Sequence, residues 1–164
     1  MPELREELRP ADPDRIRNLA AATGFFSREE AEVAAELAEE RLTRGAASGY
    51  HFLLAEEAGE LLGFACFGPI PCTRASHDLY WIVVRPDRQG GGLGRRLLTA
   101  AEARIAAAGG RRVYIDTSSR PQYAPTRAFY RACGFHQEAL LADFYDRNDG
   151  KVIFCKVLDP TSHR

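Results

Sequence analysis

The chain has 164 residues, 45% of them hydrophobic, and its 22 Lys and Arg nearly cancel 23 Asp and Glu to a formal charge of −1. Length and apolar content suit one domain spanning residues 1–164 with a sizeable core. The charge balance gives no global pull toward nucleic acid or an anionic membrane, so basic residues act locally. The longest weakly polar run, Leu61 to Cys72, contains two prolines and is too short to span a bilayer.

The opening MPELREELRP is charged and unlike a signal peptide. Cys66, Cys72, Cys133 and Cys155 show neither CxxC pairing nor histidine at ligand spacing. This predicts reduced, mostly buried thiols in a cytoplasmic protein, and no metal site.

In chain order, Glu3 to Arg9 suits a short strand broken by Pro10 and Pro13. Asp12 and Asp14 suit a helix start, with the helix running to about Ala22. Ser27 with Glu30 forms a capping box that opens a helix from Arg28 to about Arg44, stopped by Gly45. Its Ala and Leu recur at helical spacing, the pattern of a core-facing stripe. Tyr50 to Glu56 and Glu60 to Phe67 flank Glu57-Ala58-Gly59 and read as a β-hairpin. Asp78 to Val84, DLYWIVV, reads as a buried strand ended by Pro86. Leu93 to Ala108 is helical, Arg111 to Thr117 a strand, and Thr126 to Cys133 a helix. Phe135 to Tyr145 and Lys151 to Leu158 close the chain as a hairpin, with Asp149-Gly150 expected at its turn. Such mixing predicts one sheet with helices on its faces.

The segment RPDRQGGGLGRRLL, residues 85 to 98, stands between a strand and a helix. A helix start presents unpaired N–H groups and a positive dipole, and glycines let an anion lie against the backbone. Arg88, Arg95 and Arg96 flank the same point. Glycines inside a helix cost about 1 kcal/mol each, so four of them at its start call for a use. A Walker A loop and a dinucleotide fingerprint both require glycine where Arg95 stands, so neither spacing fits. The residues point to a phosphate or pyrophosphate loop.

Gln89-x-x-Gly92-x-Gly94, after Val84-x-Pro86 and before an Arg- and Leu-rich helix, resembles the acetyl-CoA loop of the GNAT acyltransferase superfamily. About forty residues on, Arg127-Ala128-Phe129-Tyr130-Arg131-Ala132-Cys133-Gly134-Phe135 resembles that family's second motif. The element order matches over essentially the whole chain. The resemblance implies an α/β fold, a mixed, mostly antiparallel sheet splayed beside Asp78 to Val84 and flanked by helices. It implies a pantetheine arm against the backbone of Ile82, Val83 and Val84. The pyrophosphate would rest on the amides of Gln89, Gly90, Gly91, Gly92, Leu93, Gly94 and Arg95. It further implies an N-acetyltransferase in which the amine attacks the thioester of acetyl-CoA directly, within a ternary complex.

On that resemblance Tyr130 takes the position of the proton donor to the leaving thiolate. Asp78 takes that of a carboxylate acting as base through water, sharing by strand alternation a face with Tyr80 and Ile82. His77 and Asp116 are alternative titratable groups. Phe25 and Phe26 between the first helices, Asp143, Phe144 and Tyr145 by the last hairpin, and Tyr80 are candidates to wall the acceptor site. The acceptor is expected to be a small-molecule or peptide amine, and a homodimer is among the states the resemblance allows. Tyr123 stands where the family often has a cofactor-binding asparagine. Neither Cys66 nor Cys133 has an evident base partner, against a covalent acyl-enzyme. Two alternatives from other classes are a catalytically inactive acyl-CoA-binding regulatory module and an interaction domain using the acidic face of the Arg28 to Arg44 helix.

Overall fold

Ala58 and Gly59 both take left-handed backbone, φ 53° and 79°. This two-residue turn matches the twist of paired strands, and it joins β2 (His51–Glu57) to β3 (Glu60–Pro69) in the register set by Glu57 opposite Glu60. The computed structural model describes residues 1–158. It adds β1 (Glu3–Arg5), β4 (Ser76–Val84), β5 (Arg112–Ser118), β6 (His136–Asp146) and β7 (Asp149–Val157), and orders the seven strands β1-β2-β3-β4-β5-β7-β6 in one sheet. Every neighbouring pair is antiparallel except β4 with β5. The mixed, mostly antiparallel sheet that the resemblance implies is therefore present.

Helices cover both faces, as the doubly apolar runs of β2 and β3 require. On one face α1 (Asp12–Ala22) and α2 (Arg28–Arg44) bury Ile16, Leu19, Ala34 and Ala38 against Phe52, Leu54, Phe64 and Val83. On the other, α3 (Leu93–Ala107) and α4 (Ala124–Ala132) bury Leu97, Leu98, Ile105 and Tyr130 against Leu53, Leu79, Ile115 and Phe154. The capping box at α2 is formed: Glu30 N donates to Ser27 Oγ at 3.1 Å and Ser27 N to Glu30 Oε1 at 3.0 Å.

Three expectations are corrected. β1 stops at Arg5, because the guanidinium there turns to the fully buried Asp12 carboxylate, at 2.8 and 3.1 Å, and docks the strand on α1. The last hairpin turns at Arg147–Asn148, with Asn148 at φ 62°, while Asp149 already pairs with Asp146. Asparagine tolerates this conformation, and its N–H donates to Asp143 Oδ1 at 2.8 Å. Gly150 lies in β7, where an added Cβ would stand 2.9 Å from the Leu141 carbonyl oxygen. Third, Trp81 pairs with Cys66 and Leu79 with Phe67, so Tyr80 is the extra residue of a β-bulge. The bulge breaks simple alternation, and Ile82 packs with the Leu79 cluster rather than sharing the face of Asp78.

The bulge precedes the feature that shapes the site. β4 pairs with β5 only from Ser76↔Arg112 to Asp78↔Tyr114. Beyond Asp78 the strands part, and the β5-facing edge of Leu79 to Val84 is left without a strand partner.

Candidate active site

At the far end of that open edge, β4 runs into the glycine loop. Gly90 and Gly92 have φ of 83° and 86°, so both need the freedom of glycine. Gly92 is the N-cap of α3 and no side chain caps the helix. The first backbone bond of the helix is Arg96 N to Gly92 O, at 3.0 Å. The amides of Gly90, Gly91, Gly92, Leu93, Gly94 and Arg95 thus donate to no backbone acceptor among the described residues. Together with the α3 dipole they form a preset anion cradle. A cavity of about 280 Å³ opens on the loop between Gly91, Gly92, Arg96 and the chain start at Met1 and Pro2.

The side chains around this cradle make contacts of their own within the protein. Gln89 Nε2 donates to Val84 O at 3.1 Å, tying the loop to the strand end. Arg95 donates to Ala132 O at 3.2 Å, Arg96 to Pro2 O, and Arg88 pairs with Glu57. Each of the three arginines flanking the loop thus has a partner within the protein. Gly94 has a second use. A Cβ there would stand 3.3 Å from Phe129 Cζ and 3.6 Å from Val84 Cγ2, so the bare position lets α3 and α4 close over the strand end.

Tyr130 lies on α4, 6% exposed, its ring tilted against Phe129, Phe135 and Phe154. Its hydroxyl has no hydrogen-bond partner among the described residues. It is also not among the fully buried, unpartnered side-chain polar atoms of the described residues, which are Arg41 Nη1 and His77 Nδ1. The oxygen therefore retains an outlet to solvent space. Burial pushes the phenol well above its ordinary value and keeps it protonated.

Asp78 is half-buried on β4. Burial raises its pKa, the Asp116 carboxylate raises it further, and Lys151 opposes both. Lys151 Nζ lies 3.1 Å from Asp116 Oδ2, so Asp78 neighbours an ion pair rather than a lone cation. Tyr80, on the bulge, is pushed up to about 12 by burial and then by Asp78, and packs edge-on to Tyr50 at 5.5 Å. His77 does not join this group. It is buried around the strand from Asp78, beside Ile105 and Gly110, and is neither a surface residue nor a base facing the splay.

On the outer side the candidates divide. Phe26 packs edge-on against Trp81 at 4.8 Å, at the margin of the α1–α2 core. Phe25 is the exposed one, tilted against Tyr123 at 5.8 Å. Tyr123, in the place of the expected asparagine, donates its hydroxyl to Phe25 O at 3.1 Å. Sequence reasoning missed that contact, since 98 residues separate the partners. Tyr145 is exposed on β6, its pKa raised by burial and then by Asp116 and Asp149. Asp143 sits in the β6 bulge at φ 54° and accepts from the hairpin backbone. Burial pushes the Cys66 thiol far up and raises Cys133, so neither is a ready nucleophile.

A half-parted parallel pair beside an uncapped glycine helix start defines a protein of the acyl-CoA-binding acyltransferase class. The chain belongs to the acetyltransferase (GNAT) family, whose sequence model matches residues 5–135. It is similar to a GNAT-family protein from Desulfovibrio desulfuricans, 44% identical over 97% of this chain and 100% of that one, with a TM-score of 0.95. An aminoglycoside 6′-N-acetyltransferase complexed with coenzyme A shares the fold at 21% identity, over 96% and 98% of the two chains, with a TM-score of 0.79. So does the ribosomal-protein-S18-alanine N-acetyltransferase of Escherichia coli, at 20% identity over 97% and 95%, with a TM-score of 0.75. Among curated proteins no match was found. No helix of the described residues is long and apolar enough to cross a membrane.

Proposed function

We propose that the protein transfers an acetyl group from acetyl-CoA to an amine by direct attack in a ternary complex. One observation carries this reading: the open edge of β4 leads straight into the unpaired amides from Gly90 to Arg95. Pyrophosphate suits the amides, and an extended pantetheine arm suits the strand edge near Ile82, Val83 and Val84 as an added strand. Acetyl-CoA carries both groups on one molecule, which puts its thioester toward Asp78 and the Tyr80 bulge.

Asp78 then acts through water. An alkylammonium near pKa 10 must lose a proton before it attacks, and a carboxylate with a raised pKa is a better acceptor than an ordinary one. As the C–N bond forms and the C–S bond breaks, nitrogen loses a proton and sulfur gains one. Tyr130 donates to the departing sulfur. Its phenol is a weaker acid than a thiol of pKa about 8.5, so it passes a proton on only as it regains one from the nitrogen side. The acceptor enters between Phe25 and Tyr123 on one side and Tyr145 on the other.

The test is CoA release from acetyl-CoA with a panel of polyamines, aminoglycosides, amino acids and short peptides, run beside Tyr130→Phe. Turnover with one acceptor class, cut about 10²-fold in the variant with acetyl-CoA binding unchanged, is the expected result. Binding without turnover on any acceptor would favour an acyl-CoA-binding regulatory module, and no binding of acetyl-CoA would overturn both.

A further inference from the structure

A second cavity, of about 180 Å³, lies at the other end of β4 from the glycine loop, where β2 begins and β3 ends. Five titratable side chains line it: Glu6 after β1, Arg41 from α2, His51 from β2, His77 from β4 and Arg104 from α3. Among the described residues, both fully buried side-chain polar atoms without a hydrogen-bond partner belong to this set, Arg41 Nη1 and His77 Nδ1. His77 itself is 8% exposed, and Gly110 leaves the space its ring occupies.

The charges do not balance. Glu6 is taken by Arg104, which pairs with it directly. No carboxylate of the described residues lies in ion-pair reach of Arg41. A sheltered guanidinium with an unpartnered N–H is costly, because desolvation is offset neither by an opposite charge nor by a hydrogen bond. His51 is held below its ordinary pKa by burial, then by Arg41 and His77, with Glu6 opposing, and His77 is lowered by burial. Both imidazoles would become better donors beside a negative charge.

We propose that this cavity binds a small oxyanion, phosphate or carboxylate, held by Arg41 with His51 and His77 as further donors. The planar guanidinium fork matches two oxygens of either group. At about 30 Å³ per water the volume holds about six water-sized groups, enough for a five-atom oxyanion. The site is separate from the glycine loop and does not depend on acyl transfer.

Imidazole NMR of the full-length protein tests this, with inorganic phosphate and acetate titrated separately at constant ionic strength in chloride. The expected result is a saturable shift of the His51 and His77 resonances by at least one anion, with His136 on exposed β6 as the internal control. Arg41→Met should weaken that response at least tenfold while its near-ultraviolet dichroism and acetyl-CoA binding match wild type. A response to phosphate alone, to acetate alone or to both identifies the oxyanion class. No saturable shift with either anion, or an equal shift in Arg41→Met, would overturn the proposal. Because phosphate bound at the glycine loop would not move these two imidazoles, the readout is independent of that loop.

Discussion

The Tyr123 hydroxyl donates to the Phe25 carbonyl oxygen at 3.1 Å, joining the start of α4 to the loop between α1 and α2. Tyr123 thus holds the loop proposed as a wall of the acceptor site. Removing the hydroxyl while keeping the ring leaves the Phe25 packing and frees the loop. Tyr123→Phe is expected to raise the KM for the acceptor several-fold, consistent with loss of one hydrogen bond of about 1 kcal/mol. The KM for acetyl-CoA should stay near wild type. Steady-state kinetics with each substrate varied in turn checks this, and equal effects on both would count against it.

Asp78 and Asp116 are coupled, and the sign of the coupling is testable. Burial and then the Asp116 charge lift the Asp78 pKa, so kcat/KM should fall on the acid side at a pH above the ordinary aspartate value. Asp116→Asn removes a like charge and should move that acid limb to lower pH. Lys151→Met removes the opposing cation and should move it higher. A limb that stays put in both variants would take the base role from Asp78.

Asp12 is fully buried and accepts from Arg5, from Arg15 at 3.0 Å and from Arg9 N at 2.6 Å. Burial acts to raise its pKa, and these donors outweigh burial to hold it below the ordinary value. The stabilisation is therefore complete above the unfolded value near 4 and is lost as pH falls through the lower folded value. Asp12→Ala breaks a buried pair and leaves Arg5 with Glu56 as its one remaining carboxylate among the described residues, at a cost of about 3–5 kcal/mol. At about 2–4 °C per kcal/mol for a domain of this size, Tm should fall by roughly 6–20 °C at neutral pH. The deficit against wild type should shrink below pH 4, as thermal melts across pH will show.

Gly68 faces the Gly49 carbonyl oxygen so closely that an added Cβ would stand 1.8 Å from it. Backbone meets backbone there, so no side chain can yield. Gly68→Ala should shift the Gly49 turn and cost about 1–3 kcal/mol or more. The Gly90 position makes a contrast: its φ is 83° but nothing lies within 4 Å, so Gly90→Ala should cost about 1–2 kcal/mol through backbone strain alone. Urea unfolding of the two variants checks both, and a wild-type midpoint for Gly68→Ala would contradict the contact.

Local chemistry in the sequence was enough for most of the fold. The Ser27–Glu30 capping box, the glycines after β4 and the apolar runs of β2 to β4 act over a few residues, so strands, helices and the glycine loop between β4 and α3 were legible without tertiary information. Two motifs at a fixed separation carried the family. The Asp149-Gly150 turn misread local chemistry for a specific reason: glycine was needed at 150 for the approach of the Leu141 carbonyl, which belongs to the neighbouring strand.

The sequence by itself determined the elements and the glycine loop at the start of α3, and the resemblance its motifs carry suggested the candidate roles of Tyr130 and Asp78. Only the tertiary structure decided where β4 and β5 part, that Tyr80 bulges, that Tyr123 reaches Phe25, and that Arg41 and His77 meet at one cavity. These depend on strand register and on contacts between residues tens of positions apart. A periodic pattern says which face of an element is apolar, but not which element that face will meet.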